Sequence, residues 1–216
     1  MTAEERASGI RLIISDFGGV LCTFDYRIFC ERLALRIHRT TDQVFAAAFG
    51  DRLQSDFETG KLSGREYHHA VMTRLDADLP FEEFYPMYGD IFTEIPATGD
   101  LLRRLRRRYP LYLLSDTNEI HFSYVRERVK TLALFNEFIV SYQVGVLKPN
   151  PRIYQEALRR SGLPARACVF VDDRSANVDG AARLGIHAVH FQSPAQLEDD
   201  LLQLGTVIPK SAGASR

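Results

Sequence analysis

The stretch that decides the fold is residues 10–20, which read IRLIISDFGGV. Its first half is an apolar, largely β-branched run, which is typical of a strand buried on both faces. The run stops at Asp16, and the pair Gly18-Gly19 breaks the strand pattern. Strands buried on both faces belong to parallel sheets covered by helices, so this stretch predicts an α/β protein.

The rest of the chain repeats the same alternation of buried strands and helices. Further strand-like runs are LYLLS at 111–115, FIVS at 138–141, ACVFV at 167–171 and a weaker run at 187–191. Helical patterns cover residues 99–109, 151–161, 177–184 and 194–204. Strands that alternate with helices of this length indicate βαβ units. We therefore predict a Rossmann-like, doubly wound, mostly parallel sheet.

Residues 22–93 interrupt this alternation and show helical periodicity without a strand-like run. We predict a helical cap over 22–93, inserted into an α/β core domain formed by 10–21 and 94–204. The last stretch, 205–216, is polar and small, and we expect a flexible tail there.

Length and charge bound the class of protein. The chain has 216 residues, 27 Lys and Arg against 28 Asp and Glu, and a net charge of −1. That length fits one full domain with an addition, or two small domains. The charge balance gives no basis for nucleic acid or acidic membranes as partners. No apolar window spans a membrane, and acidic residues precede the first apolar run, unlike a secretory signal. Three cysteines without metal-ligand spacing indicate reduced thiols, and we expect a cytoplasmic protein.

Charged or small polar residues follow four of the predicted strands. They are Asp16, the pair Ser115-Asp116, Lys148, and the pair Asp172-Asp173. Because the carboxyl ends of parallel strands meet at one edge, these residues should converge. Each close carboxylate pair costs roughly 4 kcal/mol at about 4 Å and an effective dielectric near 20, so such a cluster needs a cation, and Mg²⁺ suits oxygen ligands. A carboxylate nucleophile, Mg²⁺ and a lysine are the parts needed for phosphoryl transfer through an aspartyl-phosphate.

Four motifs carry a family resemblance. They are ISDFGGVL at 14–21, LLSDTN at 113–118, GVLKPNPRIY at 145–154 and VFVDDRSANVDGA at 169–181. In this order, with a helical insert between the first two, the sequence resembles the haloacid dehalogenase superfamily over residues 10–204. Within that superfamily it is most similar to the sugar-phosphatase-like branch.

The resemblance implies roles for the phosphate-handling residues. Asp16 would be the nucleophile, and Lys148 would bridge the phosphate and the nucleophile. Ser115 and the backbone N–H of Asp116 would hold the phosphate. The expected substrate is a small phosphorylated metabolite such as a sugar phosphate, and the expected state is a monomer or homodimer.

The resemblance also implies a Mg²⁺ site. Its ligands would be the carboxylates of Asp16 and Asp173 and the backbone carbonyl of Gly18. Asp172 would support the metal site, and Asn177 would orient the loop that carries it.

One departure concerns the proton donor. Phosphatases of this superfamily usually carry a second aspartate two residues after the nucleophile, and this chain has Gly18 there. Glycine cannot transfer a proton, and general acid–base catalysis contributes about 10²–10⁴-fold. Either the substrate has a good leaving group, or the insert and its neighbours supply the proton, with Asp25, Glu58 and His121 as candidates.

Two alternatives stay open. A 2-haloacid dehalogenase also lacks the second aspartate, because a halide leaves without a proton, but such enzymes need no Mg²⁺. A non-catalytic binding or regulatory protein could use the same fold, although Asp16, Lys148 and Asp173 are all retained. A second departure is Asp116, whose charge beside a phosphate is unfavourable unless its side chain points away.

Overall fold

The computed structural model describes residues 9–210. Its strands are β1 (Leu12–Ser15), β2 (Cys22–Phe24), β3 (Phe92–Glu94), β4 (Leu111–Ser115), β5 (Glu137–Val140), β6 (Cys168–Asp172) and β7 (His187–His190). Its α-helices are α1 (Tyr26–Ile37), α2 (Thr41–Phe49), α3 (Leu53–Glu58), α4 (Gly64–Leu75), α5 (Phe81–Gly89), α6 (Pro96–Leu105), α7 (Glu119–Arg128), α8 (Ser141–Val144), α9 (Pro151–Ser161), α10 (Ser175–Ala182) and α11 (Pro194–Gln203).

A five-stranded parallel sheet forms the centre, in the order β5-β4-β1-β6-β7. Strand β1 lies in the middle, where Ile13 pairs with Leu111 on one side and Val169 on the other. All four residues of β1 are buried, because helices cover both faces of a sheet of this kind. The predicted α/β fold with a mostly parallel sheet is confirmed.

Two hydrophobic cores sandwich this sheet. One contains Leu101 and Leu105 of α6 and Leu197 of α11, packed with side chains of β1 and β4. The other contains Ile153 of α9 and Ala181 of α10, packed on the opposite face. Alternate residues of each strand serve the two cores, so the central strands are rigidly held and their carboxyl ends are fixed in position.

Helices α1–α5 bury a third core of their own. Its largest members are aromatic and fully buried, namely Phe29, Phe57, Tyr67, Phe84 and Tyr88. The core is continuous with the α/β part through Ile120 of α7, which belongs to the same cluster.

The expectation that residues 22–93 contain no strand is wrong at both ends of that segment. Strands β2 and β3 form a two-stranded antiparallel sheet in which Cys22 pairs with Glu94 and Phe24 with Phe92. Each strand has only three residues, which is too short for an alternating pattern to be recognised. The pairing joins positions 70 residues apart, so it depends on tertiary structure.

Helix boundaries differ modestly from the sequence-based ones. Helix α6 begins at Pro96, which stands in its first turn where a proline needs no hydrogen bond. Helix α10 begins at Ser175. Helix α7 was not predicted from the sequence, because its apolar residues do not repeat at helical spacing. The Asn118 side chain caps its N-terminus.

No helix within residues 9–210 is long and apolar enough to cross a bilayer. The three cysteines are unpaired, as the sequence predicts, and all three are buried.

Candidate active site

The candidate nucleophile lies where the central strand ends. Asp16 follows β1 directly, and its backbone N–H still donates to Val171 of the neighbouring strand at 2.9 Å. Its carboxylate accepts a hydrogen bond from the backbone N–H of Phe17 at 2.7 Å. Asp16 is 7 % exposed, so its carboxylate is fixed by backbone contacts at the rim of the sheet and reaches solvent through a small opening.

Lys148 is the positive centre of this rim. Its Nζ lies 2.8 Å from Asp16 Oδ2 and 2.7 Å from Asp172 Oδ2, and it also donates to the carbonyl of Leu114 at 3.3 Å. Burial by itself lowers the pKa of Lys148, but the negative charges of Asp16 and Asp172 outweigh that effect and keep the pKa above its usual range. The lysine is therefore a permanent cation that joins the ends of β1, β4 and β6.

Asp172 and Asp173 play different parts in the structure. Asp172 is fully buried, and its oxygens accept from Asn177 Nδ2 at 3.0 and 3.1 Å and from the backbone N–H of Arg174 at 2.9 Å. Asp173 is exposed, and oxygens of Asp16, Asp172 and Asp173 lie within 4.8 Å of one another. Asp172 thus anchors the lysine and Asn177, whereas Asp173 presents its carboxylate to the opening.

The donor set fits a small divalent cation. Three carboxylates lie together against one buried ammonium, and hard oxygen ligands of this kind suit Mg²⁺. The loop after β1 leaves room for the Asp173 carboxylate because residue 19 is a glycine. A Cβ on Gly19, which has φ of +75°, would lie 2.1 Å from Asp173 Oδ2. Burial raises the pKa of Asp16, Lys148 opposes the rise, and the negative charge of Asp172 adds to it.

The loop after β4 shapes the candidate phosphate site. Ser115 is 3 % exposed. The carboxylate of Asp116 accepts from the backbone N–H of Lys148 at 2.9 Å, so it is directed toward the lysine loop. Thr117, which follows Asp116, is held by Ser141. The Ser141 hydroxyl accepts a hydrogen bond from the N–H of Thr117 at 2.9 Å and donates one to the carbonyl of Thr117 at 2.8 Å.

An aromatic ring occupies the space beside Gly18. A Cβ built on Gly18 would meet Cε1 of Phe24 at 2.9 Å. Phe24 is 45 % exposed, and its ring packs against Tyr26 and Phe92, with centroids 5.4 and 6.1 Å away. A larger residue at position 18 therefore needs the Phe24 ring to move.

The three candidate proton donors have different environments. Asp25 is exposed and caps α1, accepting from the backbone N–H of Arg27 at 2.8 Å. His121 is buried, with its ring nitrogens 3.0 Å from Asn118 Nδ2 and 3.0 Å from the carbonyl of Tyr88. Burial lowers the pKa of His121 to about 3, so the imidazole is neutral at pH 7.

Glu58 is the third candidate and lies at the end of α3. Gln54 Nε2 donates to its Oε1 at 2.9 Å, and burial raises the pKa of Glu58 to about 7. Asp116 and Arg174, on the loops after β4 and β6, are close enough for their charges to influence that pKa.

Comparison with known proteins identifies the family. The model of the haloacid dehalogenase-like hydrolases matches residues 10–185. The chain belongs to this family. It is 26 % identical over 199 residues to D-ribitol-5-phosphate phosphatase from Bacteroides thetaiotaomicron, covering 89 % of this chain and 97 % of that protein.

Solved structures of the family share the fold. A HAD-like hydrolase from Porphyromonas gingivalis superposes with a TM-score of 0.74 at 27 % identity, covering 90 % of this chain and 98 % of that one. A HAD family enzyme from B. thetaiotaomicron, in complex with magnesium and inorganic phosphate, superposes with a TM-score of 0.72 at 23 % identity, covering 85 % of this chain and 94 % of that one.

In this haloacid dehalogenase-like hydrolase, the structure brings together the residues that the four motifs single out. Two contacts were not anticipated from the sequence: the hydrogen bonds of Ser141 to Thr117 and the Phe24 ring beside Gly18. Ser141 ends the strand-like run at 138–141, and that position at a strand end is the sequence signal that could have pointed to it. No sequence pattern points to Phe24, which is half exposed beside Gly18.

Proposed function

We propose that this protein is a Mg²⁺-dependent phosphatase that hydrolyses a small phosphorylated metabolite, such as a sugar phosphate, through an aspartyl-phosphate on Asp16. The observation that carries the proposal is the contact of Lys148 with both Asp16 and Asp172, with Asp173 at the same opening. A carboxylate fixed beside a permanent cation, with an acidic cluster for a metal, matches the needs of phosphoryl transfer.

Asp16 is the proposed nucleophile. One of its oxygens attacks phosphorus, the bond from phosphorus to the ester oxygen breaks, and the leaving oxygen takes a proton. Water then attacks the acyl phosphate, which releases inorganic phosphate and regenerates the carboxylate. The N–H of Phe17 donates to Oδ1 of this carboxylate, and Oδ2 lies 2.8 Å from Lys148 Nζ.

Lys148 and the loop after β4 are the proposed phosphate-binding groups. Lys148 neutralises charge on the transferred phosphate, because its ammonium already lies 2.8 Å from the nucleophile. Ser115 and the backbone N–H of Asp116 donate to phosphate oxygens. The carboxylate of Asp116 is turned toward the N–H of Lys148, which reduces its repulsion of the phosphate.

Asp16, Asp173 and the carbonyl of Gly18 are the proposed magnesium ligands, with Asp172 in support. When bound, Mg²⁺ would supply charge stabilisation for the transferred phosphate. Related proteins support this assignment: one relative is named as a ribitol-5-phosphate phosphatase, and a structural neighbour holds magnesium and phosphate. A dehalogenase needs no such acidic cluster, so the phosphatase is the better fit.

The experiment is a hydrolysis assay of phosphate esters with Mg²⁺ or with EDTA. The panel includes p-nitrophenyl phosphate, ribitol 5-phosphate and glucose 1-phosphate, and the variants are Asp16→Asn and the exposed control Asp199→Asn. We expect turnover that requires Mg²⁺, is abolished in Asp16→Asn and is unchanged in Asp199→Asn. Halide release from a 2-haloacid in EDTA, or equal turnover in Asp16→Asn, would overturn the proposal.

A further inference from the structure

The proposed phosphatase needs a proton for its leaving group, and position 18 cannot provide it. Gly18 has no side chain, and the ring of Phe24 fills the space that a side chain there would enter, 2.9 Å from an added Cβ. A proton donor for an alkyl phosphate, whose leaving group is poor, therefore has to come from another element near the same opening.

Glu58 lies near the loops at the carboxyl ends of the strands. Two residues after it, Gly60 packs against the carbonyl of Tyr142, and the neighbouring Ser141 is hydrogen-bonded to Thr117 in the loop after β4. On its other side, Gln54 joins Glu58 to Tyr26, whose ring packs against the Phe24 ring beside Gly18. The charges of Asp116 and Arg174, on the loops after β4 and β6, also influence the pKa of Glu58.

The chain holds Glu58 firmly in this place. Gln54 Nε2 donates to Glu58 Oε1 at 2.9 Å and lies 3.3 Å from the hydroxyl of Tyr26, so one amide joins the acid to an aromatic residue of α1. The turn after α3 packs directly on α8: a Cβ on Gly60 would meet the carbonyl oxygen of Tyr142 at 2.0 Å. Helix α3 is thereby fixed against the strand-end loops.

We propose that Glu58 is the general acid and base of this phosphatase, and this inference rests on the proposed function. Glu58 donates its proton to the ester oxygen as the bond to phosphorus breaks. The resulting carboxylate then takes a proton from the water that attacks the aspartyl-phosphate, which restores the acid for the next cycle.

The environment of Glu58 suits both steps. Burial raises its pKa to about 7, while the hydrogen bond from Gln54 and the charge of Arg174 oppose the rise and Asp116 adds to it. An acid–base group is most effective when its pKa lies near the working pH.

The other two candidates lack these properties. Asp25 is exposed and its carboxylate is engaged as the cap of α1. His121 is enclosed by Tyr88 and Asn118, with both ring nitrogens occupied, so its imidazole has no free route to a substrate.

The test compares Glu58→Gln with the wild type and with Glu31→Gln, an isosteric change on the exposed side of α1. The measured quantity is kcat/KM with Mg²⁺ for two substrate classes: ribitol 5-phosphate, an alkyl ester whose leaving group needs a proton, and p-nitrophenyl phosphate, whose leaving group does not. We expect Glu58→Gln to lose about 10²-fold or more on the alkyl ester and much less on p-nitrophenyl phosphate. The alkaline limb of its pH profile should also disappear, and Glu31→Gln should behave as wild type.

The outcomes separate this inference from the proposed function. If Glu58→Gln loses kcat/KM equally on both substrates, or loses it on neither, the proposed role of Glu58 is wrong. The phosphatase itself is still upheld in that case, provided that the activity depends on Asp16. If Asp16→Asn retains turnover, the phosphatase itself fails. Glu58→Asp keeps the carboxyl group on a shorter side chain and controls for a folding defect. It should retain more activity on the alkyl ester than Glu58→Gln does. Lower activity than that of Glu58→Gln would contradict the inference.

Discussion

Replacing Lys148 with methionine keeps a long side chain but removes the ammonium that lies 2.8 Å from Asp16 and 2.7 Å from Asp172. The two carboxylates have oxygens within 4.8 Å of each other. At that separation and an effective dielectric near 20, two negative charges repel by about 3.5 kcal/mol. Breaking a buried ion pair by removing one partner costs a similar amount, about 3–5 kcal/mol. We expect Lys148→Met to lower the free energy of unfolding by about 3 kcal/mol at pH 8 in EDTA, on these two estimates.

The pH dependence of this loss has a definite sign. Burial already raises the pKa of Asp16 in the folded protein, and removing the ammonium of Lys148 raises it further. A carboxyl whose pKa is higher in the folded state costs stability as the pH rises above its unfolded value, because the unfolded chain then releases the proton more readily. The difference in the free energy of unfolding between the wild type and Lys148→Met should therefore be largest at pH 8 and become smaller toward pH 5.

Thermal unfolding in EDTA at several pH values measures the deficit. For a protein of this size about 3 kcal/mol corresponds to a Tm lower by about 6–12 °C. The control is Lys61→Met, which breaks an ion pair of 2.7 Å with Asp56 on the surface and should cost less than about 1 kcal/mol. An unchanged Tm at pH 8, or a deficit that grows as the pH falls, would refute the reasoning.

The remaining predictions concern the metal cluster and position 18. Asp173→Asn should raise the dissociation constant for Mg²⁺ by at least about tenfold, because even outer-sphere partners of a metal contribute that much. Calorimetric titration measures this constant, and an unchanged value would show that Asp173 is not a ligand. In a Glu58→Gln background, Gly18→Asp should restore kcat/KM for ribitol 5-phosphate only together with Phe24→Ala, since the Phe24 ring lies 2.9 Å from an added Cβ. Rescue by Gly18→Asp alone would show that the ring is no obstacle, and Phe24→Ala alone serves as the control.

Much of the rim could be predicted because it follows from strand order. Each parallel strand delivers the residue after its last buried position to the same edge of the sheet. Asp16 and Asp172 come directly from the ends of β1 and β6, which are adjacent, so their approach needed no knowledge of side-chain packing. Lys148 lies in a loop, and its ammonium forms ion pairs with both Asp16 and Asp172. This contact is favourable because two buried carboxylates need a neutralising charge.

The pairing of β2 with β3 could not be predicted, and it carries the most consequential local feature. It brings Phe24 opposite Phe92, and the ring of Phe24 then lies over Gly18. Three-residue strands leave no periodic trace in the sequence. The sequence showed that an acid is missing at position 18, but the aromatic ring beside that position came only from the paired strands.

The sequence by itself determined the α/β class, the acidic and basic residues at the strand ends, and the helical character of most of the insert, because periodicity and strand-end position are local or nearly local properties. Only the tertiary structure gave the three candidate acids different environments. Asp25, Glu58 and His121 carry equivalent signals in the sequence. Burial against other elements separates them, since it lowers the pKa of His121 to about 3 and raises that of Glu58 to about 7. Desolvation depends on what packs around a group, and that is fixed only when distant parts of the chain meet.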